Sequence, residues 1–146
     1  MAIIYQSDDI KFPRIKRREI SNWIKSVAAS YNKKIGDIAC IFCSDEKILE
    51  VNIQYLSHDY YTDIITFDYS EKDIISGDLF ISLDTVRSNA EKFNTDYTEE
   101  LCRVIIHGIL HLCGFKDKSA EDEKVMREKE NKALKQFCST METRRT

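Results

Sequence analysis

The sequence is short of the features that divide a chain. A single proline, Pro13, stands among 146 residues, so nothing beyond it breaks a helix or strand by removing a backbone N–H. Repeats, low-complexity tracts and linkers are missing too, and the chain is long enough to bury its own core, so one domain over 1–146 is expected. No apolar run nears the length of a membrane span, so no membrane partner is expected. The opening MAIIYQSDDIKF has apolar residues first and acidic ones next, unlike a secretory signal, which points to the cytoplasm. Nor is there an excess of positive charge. The formal net charge of −3 argues against duplex binding driven by bulk charge, because backbone affinity comes from neutralising several phosphates. A glycine-rich phosphate loop and a nucleophilic Ser or Cys triad are also missing.

What is present is a globular composition with a local basic run (Arg14, Lys16, Arg17, Arg18, then Lys25, Lys33 and Lys34), read as solvated helix surface. The five cysteines (Cys40, Cys43, Cys102, Cys113, Cys138) are an odd count in a chain that needs no staples, so reduced thiols are expected. Cys40 and Cys43 form a CxxC inside an apolar strand, whereas redox pairs are activated at a helix N-terminus; they read as core.

Periodicity gives the elements. A short apolar opening (Ile3, Ile4, Tyr5) precedes a helix with Ile20, Trp23, Ile24, Val27, Ala28 and Tyr31 on one face. IACIFC (38–43) reads as a buried strand, and Ser44 with Asp45 and Glu46 starts a helix to about Tyr55. TDIITF (62–67) and DLFIS (78–82) are strands, joined by a loop or hairpin. Helices follow from about Asp84, from Thr98 as N-cap to Gly114, and from Ser119, the last with Glu123/Arg127 and Glu128/Lys132 as pairs one turn apart. The helix LCRVIIHGILHLC is apolar on nearly every side and should be central. The order β-α-β-α-β-β-α-α-α implies an α/β (α+β) fold, a single mixed β-sheet with packed helices.

His107 and His111 lie four residues apart on that central helix, which puts both imidazoles on one side within reach of one metal ion. Gly114 lets the chain turn, so Asp117 can fold back as third ligand. Two His and one carboxylate leave a coordination position for water, as a catalytic zinc site requires, and point to metal-assisted hydrolysis; ferrous iron or nickel suits the same donors. A chance pair of hydrogen-bonded histidines is the plain alternative. Against it, the chain has only three histidines, two of them on an apolar helix where an unpaired imidazole is costly. Between them sits Gly108, and a helix-interior glycine costs roughly 0.5–1 kcal/mol against alanine, so something should come close to the backbone there. Cys113 follows His111 too closely to share its side of the helix and reads as packing.

The string HGILHLCGFKD (107–117) resembles the signature of the YbeY family of bacterial metal-dependent endoribonucleases, H-G-x-L-H-L-x-G-Y-D-H. VNIQYLSHDYYTDIITF (51–67) is similar to that family's L-N-x-x-Y-R-x-x-D-x-P-T-D-V-L-S-F, with Asn52, Tyr55, Asp59, Thr62, Asp63 and Phe67 retained, and GDLFIS (77–82) resembles its G-D-I-x-I-S. The resemblance runs over roughly residues 45 to 130. It implies an α/β metal-binding fold, zinc (Zn2+) on three signature side chains, and cleavage of single-stranded RNA in rRNA maturation (16S rRNA 3′ end) and ribosome quality control, with ribosomal subunits as partners. The signature's third histidine falls on Asp117 and its arginine after the tyrosine on Leu56. His58, Arg103, Lys116 or Lys118 could take over that arginine's phosphate contact; Arg103, one turn before His107, is preferred. Asp63 is expected to support a ligand, act as a base, or simply hydrogen-bond at a strand start. The competing functions are a metallopeptidase, opposed by Gly108 where an H-E-x-x-H enzyme has its glutamate, and a ribosome-binding metalloprotein with weakened catalysis, favoured by Leu56 and Asp117.

Overall fold

Four segments in which β-branched and aromatic residues alternate or run together become strands, and five segments with helical periodicity become helices. The structure, a computed structural model, describes residues 2–56 and 62–145, the side chains of 138–145 excepted. His58, Asp59, Cys138 and the side chains of Arg144 and Arg145 therefore lie outside the described residues. The elements are β1 (Ile3–Ser7), α1 (Arg17–Ser30), β2 (Lys34–Cys43), α2 (Asp45–Leu56), β3 (Ile64–Asp68), β4 (Ile74–Ser82), α3 (Leu83–Lys92), α4 (Tyr97–Leu112) and α5 (Ala120–Arg145).

They build one mixed sheet in the order β1-β2-β4-β3. β1 and β4 run parallel to β2, while β3 is antiparallel to β4 in a register from Ile64 opposite Ile81 to Asp68 opposite Gly77. β3 is thus an edge strand. The main core lies on one face of the sheet, where Ile38, Cys40, Phe42, Leu79 and Ile81 meet α1 and α4, with α3 and α5 packed behind. α2 covers part of the other face through Ile48 and Val51 on Cys43 and Ile65. Burying each such aliphatic side chain is worth about 1.5–3 kcal/mol, which is why the apolar stripes dictate which helix faces inward.

α4 is buried on nearly every side, as its sequence implied, from Leu101 to Leu112. Its N-cap is Asp96, not Thr98: the Asp96 carboxylate accepts from the Thr98 and Glu99 N–H groups. A charged acceptor two residues earlier satisfies two orphan donors of the first turn at once. Ser82 caps α3 in the same way, and Asp122 N–H donates to Ser119 at the start of α5. The indole N–H of Trp23 on α1 donates to the Ala133 carbonyl at 2.9 Å, which fixes the position of α5. Cys40 and Cys43 are free and fully buried; burial pushes both thiols up to about 12, which keeps them protonated and inert. Among the described residues, no helix is long and apolar enough to cross a membrane.

Candidate metal centre

One turn of α4 separates His107 from His111, and both imidazoles leave the helix where the chain turns back. The turn is made by Gly114 at φ +105°, a conformation open to glycine at no steric penalty. Phe115 N–H closes back onto the Leu110 carbonyl, and Asp117 returns over the histidines. His107 Nε2 and His111 Nε2 are 3.1 Å apart, and each is 3.3 Å from Asp117 Oδ2. The three predicted ligand atoms thus form a nearly equilateral triangle. A tetrahedral ion with bonds of about 2.0–2.1 Å has donor–donor edges of about 3.3–3.4 Å, so the donor set fits one face of such a tetrahedron.

A buried carboxylate aims the first imidazole. Glu130 of α5 is 6% exposed, and its Oε2 accepts from His107 Nδ1 at 2.7 Å, leaving the Nε2 lone pair for the triangle. Its Oε1 accepts from the Arg103 guanidinium at 3.0 Å, and Arg103 also donates to Asn131 Oδ1 at 2.8 Å. Burial by itself lowers the His107 pKa, but the hydrogen bond and charge of Glu130, with Asp63 and Asp117, outweigh it and hold the imidazole above its ordinary 6.5. Burial likewise raises Glu130, yet its bonds to His107 and Arg103 hold it below its ordinary 4.5.

Arg103, the candidate for the phosphate contact, is ion-paired with Glu130. Sequence reasoning does not single out Glu130. The signal was a lone carboxylate in helical register with the buried Met126, Ala133 and Leu134. Gly108 answers to packing and not to the metal: a Cβ there would stand 2.8 Å from Ile64 Cδ1 and 3.0 Å from both Leu79 methyls. The glycine lets α4 lie close on the sheet. Cys113 packs against the core, as expected, and burial pushes its thiol up to about 11.

Two clefts meet at the triangle. One, ≈ 620 Å³, runs along the β3 edge and is lined by Asn52, Leu56, Asp63, Ile64, Thr66, Asp68 and Lys118. The other, ≈ 610 Å³, follows α5 past Ala120, Lys124 and Arg127. His107 and Asp117 line both, so the triangle stands between the two clefts. Behind His107 a recess of ≈ 180 Å³ is lined by Asp63, Glu100, Arg103, Arg127 and Glu130. Asp63 immediately precedes β3. Its carbonyl accepts from Ser82 N–H, while its half-buried carboxyl is raised by burial against the opposing pull of His107. The same desolvation raises Glu100.

The family model described as Endoribonuclease YbeY matches residues 3–138. "Endoribonuclease YbeY" of Parabacteroides distasonis is 68% identical over 134 residues, covering 92% of this chain and 94% of that protein. The protein of the same name from Bacteroides thetaiotaomicron is 66% identical over 134 residues, covering 92% and 98%. The solution structure of TM1509 from Thermotoga maritima superposes with a TM-score of 0.69 at 24% identity, over 98% of this chain and 93% of that one, and so shares its fold. Sequence match along almost the whole chain and a common fold agree with the histidine signature on α4: the chain belongs to the YbeY endoribonuclease family.

Proposed function

We propose that this protein is an endoribonuclease that cleaves single-stranded RNA, using one divalent ion, zinc by its donor set, on His107, His111 and Asp117. Its place is the cytoplasm, its substrate ribosomal RNA, in maturation of the 16S rRNA 3′ end and in ribosome quality control, and it acts as a single domain on ribosomal subunits. The observation that carries the reading is the near-equilateral donor triangle shared by two clefts. A strand laid along both clefts would extend on either side of the cut, as cleavage within a chain demands.

When bound, such an ion polarises a phosphoryl oxygen and lowers the pKa of an attacking oxygen. The chain's own residues prepare the site for it. Glu130 fixes the His107 tautomer, Arg103 fixes Glu130, and the left-handed Gly114 brings Asp117 into place. Asp63, raised by burial and facing both His107 and the β3 cleft, is the group best placed to take and hold a proton on its carboxyl oxygens during attack. A peptidase is disfavoured because Gly108 supplies no carboxylate and faces the sheet.

Elemental analysis of purified wild type and Asp117→Ala, with cleavage of single-stranded RNA by both, tests this. About one zinc per chain in the wild type, with metal and chelator-sensitive cleavage both lost in the variant, is the expected result. Metal-free wild type overturns the metal site. Metal without RNA cleavage favours the ribosome-binding alternative, and casein cleavage the peptidase.

A further inference from the structure

We propose that Arg127 grips a phosphate of the RNA strand, which makes the α5 cleft the phosphate-binding arm of the site; this rests on the RNA-cleaving function proposed above. The cations lining the cavities around the triangle are Lys118, Lys124, Arg103 and Arg127. Arg103 is engaged by Glu130 and Asn131. Lys118 and Lys124 carry ammonium groups, which cannot make the bidentate bond of a guanidinium. Arg127 differs from all three.

It lines both the α5 cleft and the recess, and both cavities also contain His107 and Glu130. It stands one turn before Glu130 on α5, and its charge is felt at Glu100 across the recess. Among the described residues it also lacks an ion-pair partner. The expected ion pair with Glu123 does not form, and among the described residues no carboxylate lies within ion-pair distance of the Arg127 guanidinium. An exposed pair of long side chains gains too little in water to hold a single geometry. A guanidinium beside a cleft for a polyanion is suited to a bidentate phosphate bond, which a planar fork makes better than an ammonium. Asp117, Glu123, Glu128 and Glu130 outnumber Lys124 and Arg127 along this arm, so the grip is local and not a broad positive field.

The test measures binding of a fluorescein-labelled, unstructured single-stranded RNA across a salt series, with steady-state cleavage, for wild type, Arg127→Gln, Arg127→Lys and Arg103→Gln. Arg127→Gln is expected to weaken binding roughly tenfold, as loss of a charged hydrogen bond does. The slope of log K against log salt should become shallower by about 0.7, the value of one phosphate contact on a single strand. The loss should fall on KM more than on kcat. Arg127→Lys should restore the salt slope but only part of the affinity, and Arg103→Gln should weaken metal binding at a wild-type salt slope. If the wild type binds and cleaves RNA but Arg127→Gln keeps its affinity and slope, the phosphate grip is overturned and the nuclease reading stands. If the wild type neither binds nor cleaves, the nuclease reading itself falls.

Discussion

Glu130 stands between His107 and Arg103, one carboxylate oxygen 2.7 Å from the imidazole Nδ1 and the other 3.0 Å from the guanidinium. A ligand imidazole held this way presents Nε2 in one orientation, so binding an ion loses little further rotamer freedom. Glu130→Gln removes the charge and one of the two acceptors. The expected result is a metal affinity weaker by roughly 10- to 100-fold, the usual effect of removing such a partner. Competition with a chromophoric chelator measures it. An unchanged affinity would show that α4 alone orients His107.

The pH dependence of the metal-free protein follows from the same pair. His107 is held above its ordinary 6.5, so the folded state binds its proton more tightly than the unfolded chain does. That stabilisation is fully present below pH 6.5 and is lost as pH rises through the higher folded value. Thermal melts of wild type and His107→Gln should therefore differ more at pH 5.5 than at pH 8, on the order of a few degrees. Metal loading must run the other way, because the ligand has to be deprotonated. A melting-point difference that grows toward pH 8 would mean that His107 is held neutral.

Gly108→Ala sets helix propensity against packing. Alanine gains about 1 kcal/mol in a helix interior. Its methyl, however, meets Ile64 Cδ1 at 2.8 Å and Leu79 at 3.0 Å, and forcing a methyl into a filled core costs typically 1–3 kcal/mol. A net loss of about 1 kcal/mol in urea unfolding is expected, with weaker metal binding because α4 must lift from the sheet. A stabilised variant would show that Ile64 and Leu79 can turn aside.

How much of this was legible follows from which signals are local. The helix faces, the buried α4 and the strand pair ending in TDIITF and DLFIS were readable because burial imprints period 3.6 or 2 on the sequence. β2 and β4 begin earlier than expected, at Lys34 and Ile74, because Ile35 and Ile75 pair across the sheet while Gly36, Asp37, Ser76 and Gly77 interrupt the apolar run that follows them. Asp117 was legible through the HxxxH spacing and Gly114. Glu130 was not, since it acts from 23 residues beyond His107 on a helix whose charged residues all looked solvated. Arg103 was placed on the correct side of α4, but its partners Glu130 and Asn131, 27 and 28 residues on, were not legible for the same reason.

Asp117 itself supplies the last prediction. It gives the triangle an anionic oxygen where the family signature resembled here has a neutral imidazole. Asp117→His keeps three donors but raises the charge of the site by one. A more positive site stabilises the deprotonated form of any group that loses a proton in the reaction. The acid limb of the pH–rate profile for RNA cleavage should therefore move to lower pH in Asp117→His, by about a unit or less. Metal content should stay near that of the wild type, while Asp117→Asn, which loses the charge and weakens the donor, should bind metal less tightly. If the acid limb stays in place although metal and cleavage are retained, the titrating group lies beyond the reach of the triangle's charge, which excludes Asp63, whose carboxyl feels His107.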